Sequence, residues 1–298
     1  MSQIPLKPEL SALDAITEAQ KIAFAPVLFQ TAWCLRETGL LACLDQHPEG
    51  ISAEAAAQAC DLTPYAVGVL CDMGVSGAIL RQQPNGYSLG KIGHFLLHDK
   101  MTRINMEFTQ NVCYQAMGHL LESIREGKPA GLQVFGDWST IYPALSQLPE
   151  PAKSSWFDFD HFYSDHAFAT ALPHVLALRP KQLYDVGGNT GKWALMCAAA
   201  DSELQVTLVD LPQQLALAQV NIEAAGLSNR VRGHAADLLS TETLPGEADV
   251  WWMSQFLDCF SEEQVVAILR LIRRSMKPEA RVCILELFWD RQPFEAAS

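Results

Sequence analysis

Three acidic residues close three successive apolar runs, and the first of them leads into a glycine-rich turn. The stretch Asp185-Val186-Gly187-Gly188-Asn189-Thr190-Gly191 follows the strand-like run Leu183–Val186 and opens a helix-periodic one. Glycines there let backbone N–H groups approach a ligand at positive φ, and the helix N-terminus behind them adds partial positive charge. The spacing is D-x-G-x-x-x-G, not the G-x-G-x-x-G of dinucleotide turns. A carboxylate two positions before the first glycine suits a cationic head and would repel a pyrophosphate. S-adenosylmethionine, with an ammonium and a sulfonium, has such a head. Asp210 closes Leu204–Val209 about 20 residues further on, where a carboxylate can accept both ribose hydroxyls, a pairing that also fits NAD. Asp237 follows Val231–Ala236 and is placed to accept from an adenine amino group. Leu211 and Leu238 directly follow these two acids and are assigned to the same nucleotide pocket.

These residues resemble those of the class I S-adenosylmethionine-dependent small-molecule O-methyltransferases, a family with an N-terminal winged-helix dimerisation domain. The likeness extends over most of the chain. Family members read D-V-G-G-G-x-G at the turn, and here Asn189 takes the place of the third glycine; Asn tolerates the left-handed region better than most residues. Phe159-Asp160-His161-Phe162-Tyr163-Ser164-Asp165-His166 resembles the family's F-N-x-x-M-S-D-H-S helix, which lines cofactor and acceptor pockets. Ser261–Leu269 resembles its W-S-D-E-x-x-x-x-I-L helix. The resemblance implies cofactor contacts from Ser164 and Ser254, the latter replacing a Lys near the adenine, and an acceptor pocket walled by Phe159, Phe162, Tyr163 and His166. Aromatic walls suit a planar aromatic acceptor.

Methyl transfer from a sulfonium is an in-line displacement, so a phenol or alcohol acceptor needs a base and a water-poor pocket. The family places a His in a K-W-x-x-H-D-W pattern; here Ser254–Phe260 puts Asp258 at that position. An ordinary carboxylate near pKa ~3.9 and a phenol near ~10 are mismatched by roughly 8 kcal/mol, a gap that burial narrows. Three readings stay open: Asp258 as base or orienting acceptor, a carbon or nitrogen nucleophile that needs less base, or lost transfer with a retained cofactor site. Capping of the next helix does not require Asp258, because Ser261 and Gln264 form an S-x-x-Q box. His161 and His166 are substitute bases in principle, on different helix faces.

The elements that must hold these residues follow from periodicity. From Lys181 onward apolar runs alternate with helical ones: Leu183–Val186, helix Gly191–Ala200, Val206–Val209, helix Gln213–Ala225, Val231–Ala235, Val250–Met253, helix Glu262–Met276 and Arg281–Leu287. That alternation predicts an α/β fold, a Rossmann-like doubly wound sheet. Upstream, Ser52 can cap Ala53–Cys60, Thr63-Pro64 starts a helix through about Met73, and Ile79–Leu89 reads as a hairpin turning at Asn85-Gly86, a winged-helix shape. Three regions result: a helical winged-helix domain over 1–105, connecting helices over 106–178, and the sheet domain over 179–298. The family continues past Arg281–Leu287 through another helix and an antiparallel strand pair. Part of the acceptor pocket and of the sheet edge is then expected to be absent, and two readings stay open: a truncated chain with exposed strand backbone, or a natural chain with reduced catalytic competence.

At 298 residues and 49% hydrophobic, the chain can bury two cores. No apolar run reaches 18 residues, and charges interrupt Met1–Pro26, so neither a membrane span nor a signal peptide is expected and a cytoplasmic location follows. The eight cysteines lack C-x-x-C pairs and the eight histidines lack H-E-x-x-H spacing, so no metal is expected. A net charge of −13 argues against nucleic acid. No Lys or Arg lies between Arg36 and Arg81, so the helix pair lacks the cations of a DNA reader. The resemblance makes it a homodimerisation unit instead, with Phe24–Thr38 and Met106–Glu126 as the exchanged helices.

Overall fold

Short-range capping chemistry shapes the first part of the chain. Ser52 accepts the Ala55 N–H and Thr63 the Ala66 N–H, each closing a helix start, with Pro64 at the first helical position. The computed structural model describes residues 9–138, 140–141, 145 and 147–288. They divide into two units, Met1–Ser139 with Pro149–Phe159, and Thr140–Leu148 with Asp160–Ser298.

The first unit runs α1 (Ala12–Ala23), α2 (Ala25–Glu37), α3 (Leu40–Asp45), α4 (Ala53–Cys60), α5 (Pro64–Ser76), β1 (Leu80–Gln83), β2 (Gly86–Leu89), α6 (Lys91–His98), α7 (Lys100–Phe108) and α8 (Leu120–Glu126). Its core gathers Leu35, Leu40, Leu41, Leu44, Val67, Cys71, Ile79 and Leu80. The hairpin turns one residue earlier than the sequence suggests, at Pro84-Asn85, and Gly86 opens β2. Gly86 is needed there for a different reason: at φ +123° its missing Cβ would lie 2.1 Å from the Ile51 carbonyl oxygen. Met106–Glu126 is not one helix. α7 passes into a π turn over Thr109–Cys113 and a 3-10 turn over Ala116–His119 before α8 begins. Ties to α2 accompany that break, through Gln30–Gln110, Tyr114 Oη to the Pro26 carbonyl, and Phe29 stacked on Tyr114.

In the second unit, helix α9 (Ala152–Leu176), of which Asp160–Leu176 belongs here, precedes β3 (Gln182–Val186), α10 (Lys192–Ala200), β4 (Gln205–Asp210), α11 (Pro212–Ala224), β5 (Val231–Ala235), β6 (Val250–Ser254), α12 (Glu262–Ser275) and β7 (Arg281–Leu285). The five strands are all parallel, in the order β5-β4-β3-β6-β7. Alternate residues feed two cores, Leu183 with Trp193, Leu208 and Trp252 on one face, Tyr184 and Val186 with Trp251, Met253 and Ile268 on the other. Burial on both faces explains the near-continuous apolar runs of the inner strands β3, β4 and β6. The Ser261–Gln264 capping box forms as the sequence predicts. β3 is the strand from which the chain proceeds first to one side and then, at β6, to the other. Such a switch opens a crevice at the strands' carboxyl ends.

Candidate cofactor and acceptor site

Backbone geometry at the turn after β3 explains its glycines. Gly187, Asn189 and Gly191 have φ of +71°, +50° and +81°. A Cβ on Gly187 would lie 2.2 Å from the Phe256 ring, and one on Gly188 would lie 2.2 Å from Leu208 and 2.5 Å from Asp185 Oδ2. The turn therefore packs directly on the loop after β6 and on its own acid. Asn189 adopts the left-handed conformation in place of glycine. Its backbone N–H donates to Asp210 Oδ2 at 2.9 Å and its side-chain amide to Asp160 Oδ2 at 3.1 Å.

Asp185 is 2% exposed, and burial, with the charge of Asp210 adding, pushes its carboxyl up to about 8. The Ala194 N–H opposes this shift only in part. Asp210 is also raised by burial, although it accepts the N–H groups of Asn189 and Leu211. Asp185 Oδ2, Asn189 Oδ1 and Ser254 Oγ are buried without a hydrogen-bond partner. Unsatisfied buried acceptors beside two carboxylates fit a ligand that brings donors and positive charge. They do not fit a pyrophosphate, which brings more acceptors and more negative charge.

The other residues that the sequence assigns to a nucleotide pocket make local contacts of their own. Asp237 is exposed and folds back on its own turn, accepting from the Leu239 N–H and Ser240 Oγ. Leu238 packs on the second core, and Leu211 is half-buried at the start of α11. Ser164 is buried and donates to the Asp160 carbonyl one helical turn back.

Asp258 lies in a 3-10 turn over Leu257–Cys259, and burial raises its carboxyl. Cys259 Sγ donates to Asp258 Oδ1 at 3.2 Å. Glu286, just past β7, clamps this turn by accepting the N–H groups of Phe256 and Leu257 through one oxygen, while its other oxygen is buried without a partner. Burial raises Glu286, and the charge of Asp258 adds to the shift. Asp160 is raised by burial too, with Asp165 and Asp258 adding and His161 and the Asn189 amide opposing. Four carboxyl groups, Asp160, Asp165, Asp258 and Glu286, are thus electrostatically linked on this side. Lys192, in the first turn of α10, pairs with Asp165. On α9, Phe162 meets Tyr163 edge-on at 5.2 Å and His166 at 4.6 Å. His166 is exposed, with Nδ1 on the Phe162 carbonyl. Phe159 stacks on Phe108 at 4.1 Å within the first unit.

Residues 167–297 match the O-methyltransferase domain family, and residues 17–87 match the Dimerisation2-like domain. The chain carries an O-methyltransferase domain. Among relatives, an O-demethylpuromycin-O-methyltransferase of Streptomyces alboniger is 27% identical over 206 residues, 67% of this chain and 53% of that protein. The chain therefore spans about half the length of that curated relative. An L-tyrosine C(3)-methyltransferase of Streptomyces lavendulae is 24% identical over 268 residues, 88% of this chain and 72% of the relative. The crystal structure of the S-adenosylmethionine-dependent methyltransferase SibL superposes with a TM-score of 0.67 at 27% identity, covering 93% of this chain and 80% of that one.

Within the O-methyltransferase domain, the residues read from the sequence as a cofactor set are partly gathered. Asp185, at the end of β3, leads into the turn of Gly187, Gly188 and Gly191, which the Asn189 N–H ties to Asp210 at the end of β4, with Leu211 next to it; Asp258, read as the catalytic candidate, lies on the loop that packs against Gly187 through Phe256. Sequence reasoning missed three residues. Asp160 was read only as a motif position, yet it holds Asn189. Glu286 was counted inside an apolar strand, although an acid ending a strand was the same signal that singled out Asp210. Lys192 carried no signal beyond its place after Gly191.

Proposed function

We propose that this chain catalyses S-adenosylmethionine-dependent methyl transfer to a small aromatic acceptor and works as a homodimer. The observation carrying the reading is the buried Asp185 carboxyl, one oxygen of it unpartnered, behind a glycine turn at the sheet's switch point. S-adenosylmethionine, when bound, supplies an electrophilic methyl group on a sulfonium. Asp185 then offers its free oxygen to the ammonium side of the ligand, and Asp210, already oriented by two backbone N–H groups, accepts from the ribose. Ser254 offers an unsatisfied hydroxyl on the adenine side, and Asp237, which accepts from its own turn, keeps further lone pairs for an adenine amino group beside Leu238.

Asp258 serves as the proton acceptor for an acceptor hydroxyl. Its half-buried place raises its basicity, and Glu286 fixes the turn that carries it. Phe162, Tyr163 and His166 supply apolar and aromatic surface for the acceptor. Relatives of both oxygen- and carbon-methylating kinds support methyl transfer without choosing the atom. A carbon nucleophile demands less of Asp258. The second reading, a dimeric protein that binds cofactor and transfers nothing, is favoured by one observation, the carboxylate standing at the family's His position.

Methyl-labelled S-adenosylmethionine incubated with the full chain and a panel of phenols, polyketide-like aromatics and aromatic amines separates these readings. Label should pass to at least one phenolic acceptor, and Asp258→Asn should lower kcat roughly 100-fold with cofactor affinity unchanged. Cofactor binding with no transfer to any acceptor would establish the second reading.

A further inference from the structure

Two histidines and a carboxylate meet in the first unit, outside the residues of the candidate site. His94 and His98 are four residues apart on α6 and so share a helix face, and Asp45 ends α3, 53 residues before His98 in the chain. His98 Nε2 lies 2.9 Å from Asp45 Oδ2, His94 Nδ1 lies 4.0 Å from Asp45 Oδ1, and the two imidazole rings are 4.6 Å apart. One ligand atom from each residue lies within 4.8 Å of the other two. The backbones beneath them are fixed. Leu40, Leu41 and Leu44 of α3 are fully buried, and Gly93 of α6 donates its N–H to the Ile79 carbonyl. The side chains themselves are exposed, so they can rotate without disturbing a core.

We propose that Asp45, His94 and His98 form a divalent transition-metal site, best suited to zinc, that staples α3 to α6. Two imidazole nitrogens and a carboxylate oxygen are a borderline donor set that zinc accepts at bond lengths of about 2.0–2.2 Å. Around a tetrahedral ion, ligand atoms stand roughly 3.3 Å apart, so side-chain rotation of about an ångström closes the set, and water completes it. The Asp45–His98 contact already aligns carboxylate and ring. The same donors would also take nickel or copper, following the usual order of divalent affinities. His94 and His98 have the i, i+4 spacing of an H-E-x-x-H pair, with Phe95 where the Glu would stand, and the third ligand comes from another helix.

Calorimetric titration of the full-length protein with zinc chloride tests the proposal, with cobalt chloride as the spectroscopic probe. One equivalent should bind with Kd on the order of 10 μM or tighter. Asp45→Asn should weaken binding at least ~10-fold and His94→Ala/His98→Ala should remove it, with circular dichroism unchanged. Zinc should raise the melting temperature of the wild type and leave that of the double variant unmoved. Cobalt bound through these donors should lack the near-ultraviolet thiolate charge-transfer band. No saturable binding, binding that survives the double variant, or a thiolate band from cysteine ligation would each overturn the assignment.

Discussion

On the proposed reading, Asp185 would join cofactor recognition to the stability of the ligand-free domain. Its carboxyl is pushed from an ordinary value near ~3.9 to about 8 on folding. A group raised in this way contributes stability that is complete below about pH 4 and is lost as pH rises through about 8. The ligand-free protein thus loses stability across that interval, while the ionised carboxylate that a cation needs becomes populated. Affinity for S-adenosylmethionine should accordingly rise from about pH 6 to about pH 8, with proton release seen by calorimetry in buffers of different ionisation enthalpy. Asp185→Asn should bind more weakly, show no such pH dependence, and melt at a higher temperature than wild type when ligand-free at pH 8. Affinity that falls over this interval would contradict the role given to Asp185. The turn itself was legible because its rules are local: glycines where φ is positive, and Asn189 as the residue best able to replace one. The partners of Asp160 and Glu286 were not legible, because they lie 29 and 30 residues away and only the packed fold brings them together, although Glu286 itself carried the strand-ending signal.

Helix starts were readable for the same reason, since Ser52, Thr63 and Ser261 act on N–H groups three residues on. The division of Met106–Glu126 was not, because its ties run to α2, 80 residues distant for Gln30 and Gln110. This bears on how two copies would meet. α2 turns Thr31, Ala32 and Leu35 into its own core, and α1 and α8 are among the elements of the first unit that leave apolar surface exposed. Leu13, Ile16 and Ile22 of α1 and Leu120, Leu121 and Ile124 of α8 are all more than half exposed. Solvent contact over large apolar side chains is unfavourable by about 25 cal/mol per Å², which makes α1 and α8 candidates for the proposed dimer contact. Light scattering should find a dimer for the wild type and a monomer for Leu13→Glu/Ile16→Glu. A monomeric wild type at micromolar concentration would remove the dimer from the proposal.

For the chain as a whole, alternation of apolar and helical runs indicated a parallel sheet, and the structure has one. The strand order was beyond reach from periodicity, since crossovers decide which strand lands on which side of β3. That order brings the turn after β3 and the loop after β6 into contact at Gly187 and Phe256. A net charge of −13 and the buried or half-buried carboxyl groups of Asp185, Asp210, Asp160, Asp258 and Glu286, coupled to one another in part, favour a positively charged ligand. Calorimetry of the full chain with S-adenosylmethionine and, in parallel, NAD measures this most directly. The sulfonium compound should bind with Kd on the order of 1–10 μM, NAD at least ~100-fold more weakly, and Asp210→Ala should abolish binding. Tighter binding of NAD, or no binding of S-adenosylmethionine, would contradict the account.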